Sequence, residues 1–265
     1  MPSVLELSDA DPAATLAITG VTSVPGPLPS ARAAFAAAAA VIEALGAEST
    51  EPPLQIIGDF VIPPIDGPPS RDFQTLHFDF GLPLIPAAAG DVARYTALHV
   101  PAETPASEAR TRLVPLDALL AQRAWPGREE LLRRFAAYGE SHGAWAHCDG
   151  YTEGSLARII EAASGGVPVL PSVKLNADFL CGNEFPSLAA EDDFFAARGL
   201  SVGEVSIELT LEPGAVMIFD NLVLAHGRRG TRRAGELRQR VFGYRAVSTS
   251  GQRELRDRVL AAFGS

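Results

Sequence analysis

Three residues of metal-binding type stand out by their spacing. His77 and Asp79, within Thr75-Leu76-His77-Phe78-Asp79-Phe80-Gly81, are two positions apart. On an extended strand, where successive side chains alternate, both point to one face and can reach one ion. His226, within Phe219-Asp220-Asn221-Leu222-Val223-Leu224-Ala225-His226-Gly227-Arg228, is expected to supply a third ligand. Two imidazoles and one carboxylate on one triangular face of an ion leave its other positions open, which suits Fe(II) meeting a co-substrate and oxygen. Structural sites are closed; this geometry is a catalytic one. Taken alone, a His-X-Asp is weak, because a strand histidine is more often simply hydrogen-bonded. The context around His226 adds weight: Val216-Met217-Ile218-Phe219 is an apolar strand ending in the polar Asp220-Asn221, and His226-Gly227-Arg228 is followed by further arginines.

Other chemistries fit less well. His142, His147 and Cys148 cluster in one stretch, but no second cysteine or histidine pair stands nearby to close a tetrahedral set, so they are read as neighbours of the substrate pocket. His99 reads as a strand histidine without a catalytic role. No Gly-X-Ser-X-Gly elbow occurs, and no glycine-rich phosphate loop, which argues against serine hydrolases and nucleotide-binding enzymes.

The elements that must position these residues can be read from periodicity and punctuation. Met1 to Ser30 reads as a loose approach with one short strand. Ser30 is placed to cap a helix over Ala31 to Gly46, built of strong helix formers with Phe35, Val41, Ile42 and Leu45 on its apolar side. The prolines in Pro52 to Pro69 limit that stretch to an edge strand and loops. Strands are expected at Ala93 to Val100 and Thr111 to Pro115, and helices at Leu116 to Arg123, Arg128 to Tyr138 and Thr152 to Ala163, the last capped by Thr152 and stopped at Gly165-Gly166. Short strands return at Pro168 to Leu175, Glu204 to Leu211, Val216 to Asp220 and Val241 to Ser248. Many short strands with Gly/Pro turns indicate a mainly β protein with flanking helices, a double-sheet jelly roll (double-stranded β-helix, cupin-like). All 265 residues are read as a single domain, with a helical insert over about 116–165. The metal strands would lie inside one mouth of the barrel.

Composition narrows the partners. A formal net charge of -10 argues against nucleic acid or an anionic membrane, either of which would need a clustered basic surface. Cys148 and Cys181 read as free thiols in a reducing compartment. The Ala33 to Leu45 run is too short and too alanine-rich to span a bilayer, and no basic segment precedes an apolar run at the start, so a cytoplasmic protein is expected. Oligomeric state leaves no trace in the sequence.

Two blocks, Leu76 to Leu84 and Pro213 to Tyr244, resemble the Fe(II)- and 2-oxoglutarate-dependent oxygenases, especially the branch of taurine dioxygenase, clavaminate synthase and carbapenem synthase. The resemblance implies His77, Asp79 and His226 as iron ligands, with 2-oxoglutarate as co-substrate and O2 as oxidant. It implies an arginine about a dozen residues beyond the distal histidine for the far carboxylate of 2-oxoglutarate; Arg238 matches that spacing, with Arg240 a competitor on the same strand. A guanidinium suits the role because its planar fork pairs with a carboxylate in bidentate fashion. A hydroxyl sharing that carboxylate is implied at Thr111, with Thr104 the alternative. Arg228 would meet an acidic group of the substrate or buttress the iron ligands. The carboxylate at Asp79 disfavours halogenation, which in related enzymes needs a small residue there. The implied reaction is oxidative decarboxylation of 2-oxoglutarate to succinate and CO2, coupled to oxidation, by default hydroxylation, of a small organic substrate such as an intermediate of specialised metabolism. Two alternatives remain: a cupin-type metal dioxygenase or isomerase that does not use 2-oxoglutarate, and a non-catalytic barrel.

Overall fold

The computed structural model describes residues 11–46, 55–61, 73–78, 92–103, 109–142, 154–165, 185–221, 223–230, 239–245 and 260–264. Among them, strands numbered in chain order form two sheets. The first runs β1 (Val21–Val24), β8 (Val216–Asp220), β4 (Val92–His99), β10 (Gln239–Arg245), β2 (Gln55–Val61); the second runs β6 (Gly154–Ser155), β3 (Phe73–Phe78), β9 (Leu224–Arg229), β5 (Arg110–Pro115), β7 (Ile207–Leu209). Neighbouring strands in both are antiparallel.

The alternation of side chains sorts the core into layers. On β8, Val216 and Ile218 pack with Tyr95 and Ala97 of β4 against Ala34, Ala38, Val41 and Ile42 of helix α2 (Ala31–Gly46). That spacing is one stripe of an α-helix. The intervening Met217 and Phe219 point the other way and meet Leu113 of β5 and Leu224 of β9, so the two sheets face each other across a shared apolar layer. A strand buried on both faces needs a continuous apolar run, which Val216-Met217-Ile218-Phe219 supplies. The outer face of the second sheet, through Phe73, Leu76, Phe78, Val114 and Ala225, is covered by helices α4 (Arg128–His142), α5 (Leu156–Ser164) and α6 (Leu188–Ala196), joined by the short α3 (Leu116–Leu120) and α7 (Val202–Val205). The architecture is mixed helix and antiparallel sheet. No helix among the described residues is long and apolar enough to cross a membrane.

Several elements differ from the sequence expectation. The N-terminal approach contains helix α1 (Pro12–Thr19): Asp11 accepts from the Ala13 amide at 3.0 Å, proline occupies the first turn, and Gly20 closes the helix with φ 75°. Ser30 does cap α2, accepting from the Ala33 amide at 3.2 Å. Gly154–Ser155 pairs as β6 with β3, so α5 begins at Leu156 rather than Thr152, and α3 ends at Leu120. Helix α6 stands where no helix was expected, because its buried face carries Glu191 beside Phe195, a charge where periodicity looks for an apolar residue; α7 takes the first two residues of the strand expected at Glu204 to Leu211, which pairs only over Ile207–Leu209. The strand expected at Pro168 to Leu175 lies outside the described residues.

Candidate metal centre

The site begins with an irregularity in β3. Gln74 pairs with Arg228 and His77 pairs with His226, so Thr75 and Leu76 together stand opposite the single residue Gly227. This is a β-bulge, and one extra residue reverses the alternation beyond it. Phe73 faces the outer helices, and regular alternation would send Thr75 and His77 the same way. With the bulge, Leu76 and Phe78 take the outer positions in the helical layer, and His77 turns inward. Gly227 is what makes the bulge possible: a Cβ there would sit 2.5 Å from the Gln74 carbonyl oxygen, a contact real Cβ atoms do not make.

His77 and His226 are therefore cross-strand partners on the inner face. Their rings lie 4.3 Å apart, centroid to centroid, at 49°, and both residues are buried, at 4% and 3% exposure. The chain reaches His226 through a turn that carries it from β8 in one sheet to β9 in the other, with the Val223 amide donating to the Asp220 carbonyl at 3.3 Å. This places the His226 ring 4.8 Å from the Phe219 ring. His77 Nδ1 lies 2.8 Å from the carbonyl oxygen of the bulge residue Thr75. A carbonyl only accepts, so Nδ1 carries the proton and the ring lone pair falls on Nε2, the tautomer a metal ligand needs. Two adjacent buried imidazoles, one with its tautomer held, fit a borderline transition-metal ion. Among the described residues no group of three metal-binding side chains is complete; Asp79 lies outside them.

The neighbouring inner positions are polar. Thr111 of β5 pairs with Arg228 of β9, two pairs along the ladder from Leu113–His226 and on the same face. The Thr111 hydroxyl is buried and has no hydrogen-bond partner among the described residues. Arg228 is 9% exposed and donates to the Gly230 carbonyl at 2.7 Å. Arg240 lies on β10 in the other sheet, its backbone opposite Leu98. Arg238, Thr104, His147, Cys148 and Cys181 lie outside the described residues, and His142 is the last residue of α4. His99 is buried on β4, paired with Val216 on the face toward α2, and its Nδ1 lies 3.0 Å from the Ala215 carbonyl oxygen. At the exposed rim Glu208 of β7 accepts from Arg229 at 2.7 Å and Arg110 at 3.4 Å; its hydrogen bond is the main cause that raises the Arg229 pKa.

Two residues that sequence reasoning passed over bear on this geometry. Gly227 was read as part of a motif and not as the residue that admits the bulge. Glu191 is buried at 0% exposure, and its Oε1 accepts from the Leu76 amide at 2.8 Å. Nothing local in the sequence links positions so far apart.

No protein-family model matches the chain, and no curated protein matches its sequence. Solved structures similar to it include oxygenases dependent on iron and 2-oxoglutarate. PvcB, described as an Fe, alpha-ketoglutarate dependent oxygenase from an isonitrile synthetic pathway, is 15% identical over 88% of this chain and 80% of that one, with a TM-score of 0.44. A taurine dioxygenase from Burkholderia xenovorans is 13% identical over 91% of this chain and 83% of that one, with a TM-score of 0.39. An asparagine oxygenase, solved with Fe(II), hydroxyasparagine and succinate, is 16% identical over 69% of this chain and 56% of that one, with a TM-score of 0.35.

Proposed function

We propose that the chain is a non-haem iron oxygenase that couples oxidative decarboxylation of 2-oxoglutarate to oxidation, by default hydroxylation, of a small organic substrate. We read its two sheets as the double-stranded β-helix of that enzyme class, with residues 1–265 as one unit. The observation that carries the proposal is the inward-facing His77–His226 pair, set by the bulge in β3.

In this reading His77, His226 and Asp79 hold Fe(II), which with 2-oxoglutarate and O2 supplies the oxidising power. The chain's own residues do the rest. The Thr75 carbonyl keeps the His77 proton on Nδ1, which leaves the Nε2 lone pair as the one that would hold the ion. Phe219 covers the His226 ring and keeps that side of the site free of water. Thr111, with its buried hydroxyl, and Arg238 or Arg240 hold the far carboxylate of 2-oxoglutarate. Arg228, two residues along β9 from His226 and hence about 6.6 Å away, presents its charge to an acidic group of the substrate.

An anaerobic titration with Fe(II) and then 2-oxoglutarate tests this without knowledge of the substrate. The expected result is a weak visible charge-transfer band that is absent in His77→Ala and needs much more 2-oxoglutarate in Arg238→Ala. Iron binding with no band at any 2-oxoglutarate concentration would refute the co-substrate.

A further inference from the structure

We infer that Glu191, with Arg112, is a positioning device for the metal centre: it locks the bulged register of β3 and thereby the inward orientation of His77. The inference rests on the metal-binding reading of His77 given above.

The bulge takes the Leu76 amide out of ordinary ladder pairing, inside a layer where Leu76 itself is 0% exposed. A buried amide without a partner costs about 1–3 kcal/mol, and Glu191 Oε1 supplies the acceptor at 2.8 Å. The other carboxylate oxygen accepts from Arg112 Nη1 at 3.2 Å, and Arg112 Nη2 donates to Asp192 at 2.8 Å. Arg112 stands on β5 directly opposite Gly227 of β9, which in turn stands opposite the bulge. The carboxylate and guanidinium thus span three adjacent strands on the outer face, over the one position that carries no side chain. Ser187 caps α6 through the Ala190 amide at 3.2 Å, which puts Glu191 in the first helical turn, where the helix dipole favours a negative charge.

A buried ion pair is a poor way to gain stability, because desolvation offsets most of the attraction. It is an effective way to specify a register. If β3 lost its extra residue by slipping one position, the alternation would turn His77 to the outer face; the Leu76 amide would then leave its acceptor, and Glu191 and Arg112 would be buried without it. Glu191 therefore penalises the alternative in which the metal site does not exist.

Three variants test this: Glu191→Ala, Glu191→Gln, whose amide oxygen still accepts from Leu76, and Ile42→Val, a core change on α2 that lowers stability in the separate apolar layer against the first sheet. Two quantities are read, hydrogen exchange at the Leu76 amide in metal-free protein and the affinity for Fe(II) alone under anaerobic conditions. Glu191→Ala is expected to speed Leu76 exchange on the order of tenfold or more and to weaken Fe(II) binding about 10- to 100-fold. Glu191→Gln should restore most of both, and Ile42→Val should lower the melting temperature while leaving Fe(II) affinity unchanged. Glu191→Ala that binds Fe(II) like wild type, or no worse than Ile42→Val, overturns the positioning role and leaves the metal reading standing. A wild-type protein that takes up no Fe(II) overturns both.

Discussion

Replacing Gly227 with alanine is a small chemical change with a large expected effect. The added Cβ would lie 2.5 Å from the Gln74 carbonyl oxygen and 3.4 Å from both the Thr75 carbonyl carbon and Leu76 Cδ2. The closest contact is to backbone, so no rotamer change relieves it. Strand β3 must retreat by about 0.5 Å to clear the 3.0 Å limit and by about 0.9 Å to reach ordinary contact at 3.4 Å. Forced rearrangement of a packed interior costs about 1–3 kcal/mol. For a chain of this size each kcal/mol lowers the melting temperature by roughly 2–4 °C. The moving segment carries His77, and the substituted residue adjoins His226, so Fe(II) affinity should fall with the melting temperature. Gly203→Ala is the comparison: a Cβ there meets nothing within 4 Å, and the residue is inside helix α7, so the change should be neutral or stabilising by up to about 1 kcal/mol. Thermal melts followed by circular dichroism and anaerobic Fe(II) titrations of both variants decide the matter. A Gly227→Ala protein with wild-type melting and wild-type iron binding would refute the bulge argument.

Thr111→Val should separate stability from ligand binding: it removes a buried hydroxyl that has no partner among the described residues, which should stabilise the metal-free protein by about 1 kcal/mol, while weakening 2-oxoglutarate binding in the iron-loaded protein. Equal melting and equal 2-oxoglutarate affinity to wild type would remove Thr111 from the site. Glu130 offers a test in acid. Hydrogen bonds from Arg133 and Arg134 hold its pKa at about 2, below the ordinary 4.5, so the fold favours the carboxylate. Its contribution is full above 4.5 and is lost as pH falls toward 2. The stability difference between wild type and Glu130→Gln, measured by urea denaturation, should therefore favour wild type near neutral pH and shrink over that window. A difference that is constant with pH would show that the carboxylate is not held.

What the sequence revealed and what it concealed follow one physical division. Local signals were legible: Ser30 and Gly46 bracket α2, the prolines around 52–69 leave β2 at a sheet edge, and Val216-Met217-Ile218-Phe219 forms a strand buried on both faces. His77 and His226 were expected to reach one ion, from their motifs and the resemblance, and the structure brings their rings together. The reason His77 faces inward was not legible. Simple alternation from Phe73 points it at the helices, and only the pairing of Thr75 and Leu76 against one residue reverses that. Register is a property of two strands, and no single stretch contains it.

The same division explains α6. Its buried face holds Glu191, so its apolar period is broken by the residue that reaches across to the Leu76 amide and Arg112. A sequence that departs from its local pattern at a buried position carries a cost that some other element must offset. Here the offset is visible: the charge that obscures the helix in the sequence is bonded to the bulge that turns His77 toward His226. The helix was hard to read for the reason that makes it useful to the site.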